Sequence, residues 1–149
     1  MATKNIDNWN NDSGMKFKTE KDLKACAKYY QKILGLSDWK IVVRYADDDE
    51  LDKLSKDAAG YCQSVNTIKC AEILIGHNTP SHYFKQPEEL ILIHELLHCV
   101  FTVLYYAPNN MTICEESFYQ DQHMILNDMA ESIYMAKHGI DSKEWFCCK

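Results

Sequence analysis

Between Thr19 and Gly35 the apolar side chains Leu23, Cys26, Ala27, Tyr30, Ile33 and Leu34 recur every three or four positions. That spacing predicts a helix with these residues turned to the core. Thr19 with Asp22 three residues on resembles a capping box, and Gly35 suits the C-terminal cap. The period then shortens. "WKIVVRY", 39–45, is β-branched and aromatic and predicts a strand. "AGYCQSV" and "IKCAEILIG" flank Asn66-Thr67 and predict a hairpin. The second of these is the more apolar, as a central or groove-lining strand would be. The acidic "DDDELDKLSKD" before the hairpin lacks the glycine and spaced ligands of an EF-hand, so it reads as a solvated loop or a short surface helix.

Helical spacing returns after the loop "HNTPSHYFKQ". Pro87 suits a first helical position, and Glu88 and Glu89 complement the positive helix end. This helix should run from Pro87 to about Tyr105, where "APNN" breaks it. A last helix is expected from Cys114 to Lys137, closed by Gly139, with Ile125, Leu126, Met129, Ala130 and Ile133 as its core face. The expected fold class is α+β: a small antiparallel sheet of about three strands packed on three main helices. Residues 1–17 are rich in Asn, Asp and Lys and read as a flexible N-terminal arm, leaving 18–149 as a single domain.

Composition narrows the classes without choosing among them. The 149 residues carry a net charge of -6, which disfavours nucleic-acid binding by broad phosphate neutralisation. The seven cysteines include no C-x-x-C pair, and the polar N-terminus lacks the apolar core of a signal peptide. Reduced thiols in a cytoplasmic protein fit both facts. No apolar run exceeds five residues, 90–93 among the most hydrophobic, which is far too short for a membrane span. Cys147 and Cys148 read as an exposed chain end rather than as ligands.

Candidate chemistry sits inside the most apolar helix. "ELILIHELLHCVF", 89–101, holds His94, Glu95 and His98 as an H-E-x-x-H motif. Chance would produce that motif about 0.01 times in a chain of this composition. Histidines four apart on a helix lie about 6 Å apart along the axis and about 40° apart around it, so both imidazoles can grip one cation. Neutral imidazole suits zinc. Glu95 is turned too far round the helix to share that metal and is placed instead to take a proton from a metal-bound water. Burying these three groups without a metal or partners would be costly, which outweighs the reading of them as core histidines.

A third ligand is expected from the last helix, where "YQDQHMILNDMAESI" offers Asp121, His123, Asp128 and Glu131. On geometry alone His123 and Glu131 both qualify, and each read singly could be a surface polar residue.

The order of elements, with H-E-L-L-H followed by a ligand-bearing helix, resembles the compact zincin metallopeptidases, in particular small phage-encoded metallopeptidases and the ImmA/IrrE-type group. "LGLSDW", 34–39, is similar to their "LGL-x-x-W" before the first strand. Their last helix carries a ligand glutamate four residues before an Asn or Asp that has an alanine three residues after it. Asn127 and Ala130 match those two positions, and the glutamate position then falls on His123, a departure that keeps a zinc-competent side chain. The resemblance spans roughly 20–137. It implies a minimal zincin-like domain with Zn2+ on His94, His98 and His123, and Glu131 as the alternative third ligand. It also implies an edge strand beside the metal that binds an extended peptide, a role that would fall to "AEILIG", 71–76. One of His77, His82 and Tyr83 would then stabilise an oxyanion.

The expectation is therefore a cytoplasmic zinc metallopeptidase (in the host cytoplasm if phage-encoded) acting on a protein or peptide, with Glu95 catalytic and no nucleic-acid or membrane partner. Two alternatives stand beside it. One is a non-catalytic protein in which zinc only ties two helices together. The other is a regulatory protein, phage-encoded if it follows the resemblance, whose partner binds the strand edge.

Overall fold

The computed structural model describes residues 16–56, 58–76, 86–105 and 115–143. Helix α1, Glu20–Ile33, begins where Thr19 turns its hydroxyl oxygen to the Asp22 N–H at 3.2 Å and donates to the Asp22 carboxylate at 2.8 Å. It ends before Gly35, whose φ of 71° is left-handed and favours glycine. Leu23, Ala27 and Tyr30 are buried, whereas Ile33, expected on the same face, is 54% exposed. Gln31 bonds the carbonyls of Leu36 and Trp39 at 2.9 and 2.7 Å and so fixes the turn into β1, Lys40–Ala46. The acidic segment forms α2, Asp48–Leu54, capped by Asp47 through the Glu50 N–H at 2.7 Å. Strands β2, Gly60–Val65, and β3, Cys70–Gly76, follow, joined by a 3-10 turn at Asn66–Ile68 and by Lys69 at φ 49°.

The sheet order is β1-β3-β2. β2 and β3 are antiparallel, Gly60 opposite Ile75 and Val65 opposite Cys70, as the hairpin pattern predicts. β1 is parallel to β3, Lys40 opposite Cys70 and Ala46 opposite Gly76, so the sheet is mixed rather than purely antiparallel. The chain crosses over through α2 and β2 before β3 slots in beside β1. β3 is therefore the central strand and has no free edge, which removes 71–76 from the peptide-binding role. Its centrality explains why Ile73, Leu74 and Ile75 are all buried. Ile73 and Ile75 face the main core, while Leu74 packs with Ala46 and Leu51 under α2.

Helices α3, Glu88–Tyr105, and α4, Glu115–His138, complete the domain. α3 is apolar nearly all round. Leu90, Leu92, Ile93, Leu96, Leu97 and Cys99 are buried, because α1, α4 and the sheet surround it. On α4, Leu126, Ala130 and Tyr134 are buried, Met129 and Ile133 pack at the margin, and Ile125, expected in the core face, is 54% exposed. Gly139, φ 64°, ends α4. Of the N-terminal arm, 1–15 lie outside the described residues. Phe17, assigned to that arm, packs on the core and donates its N–H to Glu88 Oε2 at 2.9 Å.

Candidate metal centre

His94 and His98 project from the same side of α3, one turn apart, as the i, i+4 spacing dictates. His123 reaches them from α4. The ring centroids form a near-regular triangle with separations of 5.0, 5.0 and 5.4 Å. One ligand nitrogen from each ring lies within 4.8 Å of the other two. Nitrogens bound tetrahedrally to one zinc at about 2.0–2.1 Å would sit about 3.3–3.4 Å apart, so small rotamer adjustments would bring the three rings onto one ion. Of the four candidates on α4, His123 is thus the one that joins the pair. Asp121 and Asp128 are exposed, and Glu131, about 12 Å further along the axis, is not in the group.

The electrostatics suit a cation. Burial pushes the His94 imidazole down to about 4, with the neighbouring His123 adding to the effect. Asn127, one turn beyond His123, opposes it, and buried Nδ1 of His94 has no hydrogen-bond partner. His98 is pushed down to about 3 by burial and then by His94 and His123, and burial lowers His123 as well. All three rings are therefore neutral at neutral pH, the protonation state a metal needs. An orphaned buried nitrogen in a cluster of neutral imidazoles fits a zinc ion by donor type and number.

Glu95 is 6% exposed, and its Oε2 lies 4.0 Å from His98 Nε2. Burial pushes its carboxyl up to about 8. A cavity of about 370 Å3 opens onto the cluster. Its walls include His94, Glu95, His98 and His123 on one side and Ala59, Gly60, Tyr61 and Cys62 on the other. The second wall is the N-terminal half of β2 and the residue before it, so the strand beside the site is β2 rather than β3. Among the described residues β2 pairs only with β3, which leaves its other side as the sheet edge.

Sequence reasoning missed two features of this wall. Cys62 and Cys99 meet across it with sulfurs 3.7 Å apart, and their mutual hydrogen bond, with burial, holds the Cys62 thiol far above its ordinary value. Both are free, a packing contact rather than a disulfide. Gly60 is the other, and nothing in local sequence marks it. His77, His82 and Tyr83, candidates for an oxyanion contact, lie outside the described residues, as do Cys147 and Cys148. No helix among the described residues is long and apolar enough to cross a membrane. Comparison with protein-family models, with curated proteins and with solved structures finds no match to this chain.

Proposed function

We propose that the protein is a zinc-dependent metallopeptidase in which His94, His98 and His123 hold the ion and Glu95 is the general base. The observation that carries this reading is the convergence of three neutral imidazoles from two helices beside a buried carboxylate, at the mouth of a cavity. Zinc bound there would supply a Lewis acid that acidifies water and polarises a scissile carbonyl. The charge of the bound ion would oppose the effect of burial and favour the ionised Glu95 carboxylate, which would take the proton of the attacking water and pass it to the leaving amine. An extended peptide would lie along the free edge of β2, held by main-chain hydrogen bonds next to the histidines. A cytoplasmic setting belongs to the same proposal and is supported by the free thiols of Cys26, Cys62, Cys70 and Cys99.

A closed structural site is the competing reading, and the cavity favours the open one: a metal that only clasped α3 to α4 would need neither the cavity nor Glu95. The test is zinc stoichiometry by elemental analysis together with cleavage of a pooled quenched-fluorescent peptide library. Wild type should bind one zinc and cleave members of the pool. Glu95→Gln should keep the zinc and lose about 100- to 10,000-fold in rate. A metal-free native protein, or equal rates for the two proteins, would overturn the proposal.

A further inference from the structure

Gly60 opens β2 at the point where the strand passes over α3. Its φ is not in the left-handed region, where only Gly35 and Gly139 fall among the described glycines, so conformational freedom is not what requires it. Space is. A Cβ built at position 60 would stand 2.8 Å from Glu95 Oε1, 2.8 Å from Ile91 Cγ2 and 3.0 Å from Glu95 Cγ. These approaches are well inside ordinary carbon contact distances. The three atoms nearest that carbon belong to Glu95 and Ile91, none to the histidines.

We infer that Gly60 is the positioning residue for Glu95: its missing side chain is the space in which the carboxylate rests between strand and metal cluster. Ile91 and Glu95 are one turn apart on α3 and present one face to β2. Ile91 is β-branched and buried, so its rotamer is stiff. The Glu95 carboxylate ends a flexible chain and is the group that yields. A methyl at position 60 would therefore drive it about 1 Å or more off the backbone of β2 while the imidazoles, anchored elsewhere on α3 and α4, stay in place. Displacement on that scale costs a reaction on the order of 100-fold.

This inference rests on reading Glu95 as the base. Gly60→Ala is measured on the full chain for zinc content, zinc affinity, and kcat and KM on the best-cleaved member of the peptide pool. The expected result is zinc affinity within about 3-fold of wild type, KM little changed, and kcat down about 100-fold. Metal-free protein supplies a readout independent of turnover. In a cycle of G60A, E95A and G60A/E95A, the methyl should shift the urea midpoint less when Glu95 is truncated, because the obstructing carboxylate is gone. Should G60A not fold, G60A/I91A relieves one of the two collisions and carries the same measurements. Wild-type kcat in the folded variant, loss of zinc together with activity, or an equal midpoint shift in both backgrounds would each overturn the inference. It fails alone if Glu95→Gln is inactive and G60A is not. If wild type binds no zinc, or Glu95→Gln cleaves normally, the reading of the site fails and takes this one with it.

Discussion

Helix α3 carries the half-buried Glu89 and the buried Glu95, about 9 Å apart along the axis and about 120° apart around it, and the fold treats them in opposite ways. Glu89 receives the Tyr30 hydroxyl at 2.8 Å and the His138 ring at 2.8 Å, is ion-paired with Lys137, and has the Cys26 thiol at 3.6 Å. Burial would raise its pKa, but the hydrogen bonds from Lys137, Tyr30 and His138 outweigh that and hold the carboxyl below its usual value. Lys137 also lies over the rings of Tyr29 and Tyr30 at 4.7 and 4.8 Å. Glu89 thus joins α1, α3 and α4 through its ionised form. Glu95, buried against Gly60 and the histidines, is driven the other way by burial. One carboxylate is saturated by donors and belongs to the scaffold. The other has no such set of donors and lines the cavity beside the three histidines.

Removing a ligand should have the largest effect on this contrast. His123→Ala should weaken zinc binding by more than the roughly 100-fold that even an outer-shell loss can cost, while Glu131→Ala leaves it unchanged; competition with a chromogenic chelator measures both. The reverse order would mean that the helix α4 contributes a different side chain. Glu89→Gln should leave zinc affinity alone and cost about 2 kcal/mol in urea unfolding, because three charge-assisted or polar donors lose their anion together. A fall in zinc affinity as large as that of His123→Ala would show that the two regions are not separable.

The pH dependence sharpens the same point. The folded Glu89 carboxyl titrates below its ordinary value of 4.5, so its stabilisation is fully present above about pH 4.5 and is lost as pH falls through the lower, folded value. Urea midpoints taken down the acid limb should therefore fall more steeply for wild type than for Glu89→Gln. The smallest effect belongs to a site remote from both carboxylates. Thr19→Ala removes the cap of α1 and should cost about 1 kcal/mol with no change in zinc binding.

Local rules made much of this legible. The cap at Thr19, the hairpin, both long helices and the H-E-x-x-H face are set by residues within one or two turns of each other. On geometry alone His123 and Glu131 were both candidates for that face, and the choice of His123 followed from the resemblance, through its place relative to Asn127 and Ala130. What sequence could not supply is long-range. Parallel pairing of β1 with β3 depends on where the chain returns after α2 and β2, and no periodicity encodes it. The more apolar third strand was legible as central, yet its placement beside the metal followed from resemblance, and the edge at the site is β2. Glu88 and Glu89 were readable as complements to a helix dipole. Their actual partners, Tyr45 and Phe17 for one and Tyr30, Lys137 and His138 for the other, are set by tertiary packing. Ile33 and Ile125 sit at the margins of apolar stripes, where a few degrees of helix rotation decide exposure.

The burial of α3 on nearly every side has one more implication. The element that bears the motif is also the axle around which α1, α4 and the sheet are assembled, so among the described residues the two histidines of α3 are fixed to the scaffold itself. Heating should extinguish function and melt the whole molecule at one temperature, without an earlier, separate inactivation step.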